Sequence, residues 1–231
     1  MQEIVIRLVE AQNQTRKSAS AYVAERKYNV FKNESGKGKA EIMAEISFLP
    51  PGEKTFAIKQ SSGGMPENVV RKALEHEASN ARNPNISSIT PENYDFELIG
   101  QEMLDGNQCF VMKIVPKRES KDLLKGKVWV DANRFMVRRA QGKPAKSPSF
   151  WVKDVFITLD YNDVAGVWLQ TRSEATAKIR FAGEYILNSQ HLQLRRAEVS
   201  ADAKTHAASR NVLRRRAQRA ENVASGIAFQ P

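Results

Sequence analysis

The residues able to support chemistry are few: one cysteine, Cys109, three histidines, His76, His191 and His206, and a scatter of carboxylates that includes Asp95, Glu97, Asp131, Asp154 and Asp160. A lone cysteine excludes an intramolecular disulfide and a cysteine-rich zinc site, and the histidines lack metal-ligand spacing, so no metal centre is expected. Cys109 stands beside Phe110 in an alternating apolar segment with no histidine near it in sequence, which reads as a buried, inert thiol. His76 reads as a solvated helix residue. The carboxylates fall mostly on polar strand positions, where a solvated face accounts for them, and no pair stands out for acid–base work. Ser35-Gly36-Lys37-Gly38-Lys39 has phosphate-loop residue types but neither the GxxxxGK[ST] spacing nor a following helix, so a hairpin loop is expected. No catalytic residue, metal or cofactor is expected, which makes a non-enzymatic role the reading.

Charge is the feature with a clear partner implication. The chain has 231 residues, with 36 Lys+Arg against 26 Asp+Glu and a formal net charge of +10. Arginines concentrate near the carboxyl terminus, at Arg195, Arg196, Arg210, Arg214, Arg215, Arg216 and Arg219. Residues 198–231 read as a basic tail or helix, in which Arg210, Arg214, Arg215, Arg216 and Arg219 are the candidates for an anionic partner: a membrane surface or an acidic envelope protein. Phe229 is the tail's one aromatic, which disfavours nucleic acid. With 41% hydrophobic and 27% charged residues, the composition is that of a globular protein and excludes disorder as the main state. No run approaches the ~18 apolar residues of a membrane-spanning helix. Met1-Gln2-Glu3-Ile4 opens with neither a basic region nor an apolar one, so no signal peptide is expected within the chain. A cytosolic protein, or one whose signal has been removed, would both read this way.

The elements that position these residues follow from periodicity. Helical spacing predicts helices over residues 4–19 and 67–82. Period-2 alternation predicts strands over residues 22–31, 40–48, 55–60, 94–100, 108–116, 126–131, 135–140, 151–161, 164–179 and 183–194. Asp105-Gly106, Asp131-Ala132-Asn133-Arg134 and Asn162-Asp163 read as hairpin turns. Short connections favour an antiparallel meander over parallel βαβ units. The fold class is therefore α+β: a large antiparallel sheet with two helical segments inserted early. Residues 1–197 form this domain and residues 198–231 a separate basic segment.

Two short helices cover only part of so large an apolar face. Phe48, Phe56, Ile58, Phe96, Leu98, Phe110, Met112, Val128, Val130, Phe135, Val155 and Ile157 are the candidate lining of a ligand cavity, or else the members of a dry core.

The order of these elements, with the segments YDFELIGQEMLDGNQCFVMKIVPK, GKVWVDANRFMVRRAQG, VKDVFITLDYNDVAGVWLQTR and FAGEYIL, resembles the outer-membrane lipoprotein-sorting proteins of the LolA-like superfamily over roughly residues 3–190. The resemblance rests on the Gly106 hairpin before Cys109-Phe110, on Gly126-x-x-Trp129-Val130-Asp131 with Arg138 seven residues past Asp131, and on Val164-x-Gly166-x-Trp168-Leu169. It implies a large curved antiparallel sheet, an incomplete β-barrel, with helices partly covering its concave face and a cavity that receives acyl chains of lipids or lipoproteins. It also implies a periplasmic, non-enzymatic protein whose signal peptide has been removed. This branch also resembles envelope-stress sensors and lipid-binding lipoproteins, so a regulatory or scaffolding protein that docks its basic end on a partner is the alternative.

Overall fold

The computed structural model describes residues 1–32 and 40–197. The expected loop at residues 35–39 and the arginine-rich segment from residue 198 onward lie outside the described residues. Two helices, α1 (Gln2–Lys17) and α2 (Gly64–Arg82), accompany ten strands. The strands are β1 (Tyr22–Lys32), β2 (Ala40–Leu49), β3 (Glu53–Gln60), β4 (Tyr94–Leu104), β5 (Asn107–Pro116), β6 (Leu124–Asp131), β7 (Val137–Pro144), β8 (Val152–Val164), β9 (Val167–Ile179) and β10 (Gly183–Arg196). The fold is α+β, with one antiparallel sheet in the order β3-β2-β1-β10-β9-β8-β7-β6-β5-β4. The sheet is not closed, because β3 and β4 are its edges. Among the described residues no helix is long and apolar enough to cross a membrane.

Two meanders, β1–β3 and β4–β10, are joined by pairing of the first strand with the last, Tyr28 opposite Ser189 and Val30 opposite Leu187. Residues directly opposite in antiparallel pairs share a face. One row therefore runs across the sheet through Leu98, Met112, Val128, Ala140, Leu159, Ser173, Ser189, Tyr28 and Ile42. This is the inner face, on which both helices lie.

The helices cover it unequally. Val5 and Leu8 of α1 join Tyr94, Met112, Ile114, Leu123, Val128, Val130, Val137 and Ala140 in one core cluster. Val70 and Leu74 of α2 join Tyr28, Val30, Ala40, Ile42, Ala44 and Ile46 in another. Each cluster is built from alternate strand residues, as period-2 patterning requires.

The quoted motifs have local structural reasons. Asp105 and Gly106 take φ values of 49° and 77°, a mirror-image turn that matches strand twist in a two-residue hairpin. Gly126 faces Gly142 across β6 and β7, and a Cβ at Gly126 would lie 2.0 Å from the Gln141 carbonyl oxygen. Buried Asp131 accepts the amides of Asn133 and Arg134 and a hydrogen bond from the Arg138 guanidinium. Burial alone would raise its pKa, but these donors together hold it below the usual carboxylate range. The Asp131–Arg138 spacing thus ties the β6–β7 turn. The β8–β9 turn falls at Ala165-Gly166 and not at Asn162-Asp163, because the ladder runs on to Val164 opposite Val167.

Candidate functional site

The middle of the inner face differs from its flanks. Val155, Ile157 and Leu159 of β8 and Ala175 of β9 are half-buried, and none belongs to either helix-covered cluster. Ile157 pairs with Ala175 and Leu159 with Ser173. The row then turns polar: the Ser173 and Ser189 hydroxyls are 2.6 Å apart, and His191 lies opposite Arg26. The strip is therefore apolar at one end, at Val155, Ile157 and Ala175, and polar at the other, at Ser173, Ser189, His191 and Arg26.

At that polar end stands a charged group that periodicity did not single out. Arg26, only 5% exposed, donates to Glu77 Oε2 of α2 at 2.7 Å and to the Tyr28 hydroxyl at 3.3 Å. Lys54 of β3 donates to Glu77 Oε1 at 2.8 Å. Burial would raise the Glu77 pKa, but Lys54 and Arg26 outweigh it and hold it at about 2. The same carboxylate outweighs desolvation to raise both Arg26 and Lys54. Two cations share one anion, which leaves a buried excess of one positive charge and ties α2 to β1 and β3. Arg26 Nε and both ring nitrogens of His191 are buried without a hydrogen-bond partner. Unpaired buried polar atoms are costly unless water or a ligand meets them. Burial, then the charge of Arg26, lowers the His191 pKa. Tyr161, on the same face of β8, is pushed up chiefly by burial. A signal existed in sequence: Arg26 occupies an inner-face position between Ala24 and Tyr28, where alternation calls for an apolar residue.

Register brings the expected lining residues to this one face, with Phe135 in the β6–β7 turn beside it. Their surroundings differ. Met112, Val128 and Val130 are fully buried against α1, with Phe96 and Phe135 packed at the edge of the same cluster. Phe110 stacks on Phe135 at 6.2 Å, and the Arg7 guanidinium lies over the Phe135 ring. Phe56 and Ile58 pack against the α2 cluster. Phe48 stacks on Tyr22 at 5.2 Å. Leu98, near the β4 edge, is 41% exposed. Val155 and Ile157 lie in the open middle. Two pockets border α1: an open, polar one of about 600 Å³ at Arg7, Glu10, Gln14 and Phe135, and one of about 180 Å³ at Thr15, Tyr22, Phe48 and Trp168.

His206 lies outside the described residues; apart from His191, the other chemistry-bearing residues have structural partners or are buried. Asp95, Glu97, Asp131, Asp154 and Asp160 each pair with a cation, Lys117, Lys113, Arg138, Lys178 and Arg139 respectively. Cys109 is buried, and burial raises its pKa. His76 is half exposed but paired with Asp122, which links α2 to the β5–β6 connection. Among the described residues no group of His, Cys, Asp and Glu could hold a metal ion.

Residues 77–194, from Glu77 of the charged group to β10, match a family model whose description reads "-like: Uncharacterized protein". The chain belongs to that family. No curated protein matches it at a significant level. Among solved structures, the chain is similar to a DUF1329 family protein from Desulfovibrio piger, at 14% identity over 87% of this chain and 95% of that one, with a TM-score of 0.43. It is similar to a domain assigned to outer membrane lipoprotein sorting from Vibrio parahaemolyticus, at 14% identity over 83% and 93%, with a TM-score of 0.48. A LolA superfamily protein from Nitrosomonas europaea is similar at 10% identity over 86% and 96%, with a TM-score of 0.37.

Proposed function

We propose that this protein binds the acyl chain of a lipid or lipoprotein reversibly along the middle of its inner face, performs no reaction on it, and acts in the periplasm as a carrier or sensor. The observation that carries the reading is the strip left between the two helix-covered clusters, apolar at Ile157 and Ala175 and polar at His191 and Arg26. An alkyl chain gains about 0.8 kcal/mol per CH2 withdrawn from water, so a half-buried apolar strip is a place for it to lie. Parting of α1 and α2 would extend the strip over Met112, Val128, Phe56 and Ile58. The unpaired donors at the polar end suit an oxygen-bearing head group. The test is extraction of the purified chain with organic solvent, with lipid sought by native and denaturing mass spectrometry. Co-purified acyl lipid, or uptake of an environment-sensitive acyl probe by the stripped protein, supports the reading. A stripped, folded protein that takes up neither contradicts it.

A second reading rests on composition. The arginines at 210, 214, 215, 216 and 219 suit an acidic envelope partner or an anionic membrane. Deleting residues 198–231 separates the two readings, since acyl binding survives it under the first and partner docking is lost under the second.

A further inference from the structure

The end of the sheet opposite the Phe48 pocket carries apolar surface with no partner in the fold. Phe150 and Trp151, in the β7–β8 connection, are 67% and 58% exposed, and Phe181, in the β9–β10 turn, is 97% exposed. Phe156, on the outer face of β8, is 40% exposed. The two turns are tied together: Arg180 donates its backbone amide to the Trp151 carbonyl at 2.9 Å, and its guanidinium stacks over the Phe150 ring at 4.0 Å. Phe150 and Trp151 meet edge to face at 5.4 Å. The aromatic rings therefore stand on one braced tip, displayed and not folded inward.

Cations surround the tip. Lys32, Lys143, Lys146, Lys153, Lys178 and Arg180 lie at this end of the sheet, against Asp154 and Glu184. Lys153 lies directly opposite Lys178 across β8 and β9, and of the two it is Lys178 that has anions at hand, Asp154 at 3.9 Å and Glu184 opposite it on β10. Large exposed aromatics are costly in water and mark an interaction surface, and aromatics ringed by lysine and arginine match the boundary of an anionic bilayer. There the rings enter the head-group layer and the cations meet lipid phosphates.

We propose that the Phe150-Trp151 and Phe181 turns form a docking tip for an anionic lipid bilayer surface. Docking at this surface does not require that the inner-face strip or the arginine-rich segment binds anything.

The test uses the full chain with phosphatidylcholine vesicles, with and without phosphatidylglycerol, whose acyl chains carry bromine as a contact quencher of tryptophan. The native chain should co-sediment with the phosphatidylglycerol vesicles and lose tryptophan fluorescence there. Trp151→Phe should keep the binding and lose most of the quenching, since Trp129 is buried and Trp168 lies at the far end of the sheet. Phe181→Asn should weaken vesicle affinity roughly tenfold, the loss of one inserted ring. Phe181 has a φ of 64°, a conformation asparagine accepts, and its near-complete exposure keeps the fold intact. Absence of vesicle binding would overturn the proposal. So would binding that leaves quenching unchanged in Trp151→Phe and affinity unchanged in Phe181→Asn, which would assign the contact to the arginine-rich segment. Self-association abolished by Phe181→Asn, without vesicle binding, would assign the tip to a second copy of the chain and overturn it equally.

Discussion

The two flanks of the inner face are held in opposite ways, and the strip between them by neither. Under α1 the contact is apolar: Val5 and Leu8 sit on Met112, Val128 and Val130. Under α2 an apolar stripe is joined by charge, since Glu77 reaches both Arg26 and Lys54. Between them, Val155, Ile157, Leu159 and Ala175 meet no helix-borne cluster. The helices are fitted to the margins of the sheet, which leaves its middle strands covered by neither.

The greatest loss of stability is expected at Glu77. Glu77→Gln leaves Arg26 and Lys54 without their anion and should cost about 3–5 kcal/mol at neutral pH, measured by urea unfolding. The carboxylate titrates at about 2 in the folded chain, below its ordinary 4.5. Its contribution is therefore complete above pH 4.5 and is lost as pH falls toward 2. The native chain should lose stability through that window, and Glu77→Gln should flatten the loss. An unchanged acid limb would show that the charged group does not hold α2.

Next in size is the contrast between covered and open positions. Met112→Ala should cost about 2–5 kcal/mol, as for a fully buried side chain, whereas half-buried Ile157→Ala should cost about 1 kcal/mol. Equal losses would mean that the strip is as tightly packed as the flanks. The smallest effect is expected at the exposed Lys113–Glu97 pair of β4 and β5, where Lys113→Ala should change stability by no more than about 0.5 kcal/mol.

Alternation made most strands and both helices legible, because one face of each is buried and the other solvated. Strand ends moved where the ladder outran the apolar pattern: β4 continues past Gly100 to Leu104 around a bulge between Leu98 and Gly100, and β7 runs from Val137 to Pro144, not from 135 to 140. Pairing of β1 with β10 was not legible, since alternation says which face a residue takes and nothing about distant neighbours. For the same reason the lining residues could be assigned to a face, yet their division between packed flank and open middle depends on where α1 and α2 settle. Arg26 was visible as a charge in an apolar register, but its partners are remote in sequence: Glu77 is 51 residues away.

The most direct test of the open strip is titration of the delipidated full chain with an environment-sensitive acyl probe, comparing the native protein with Leu159→Arg and Lys113→Ala, each checked for folding by circular dichroism. Leu159 stands in the strip and Lys113 on the opposite face of the sheet, so folded Leu159→Arg should lose probe binding while Lys113→Ala retains it. A folded Leu159→Arg that binds as the native chain does, or a native chain that takes up no probe, would contradict an acyl chain lying between the two helices.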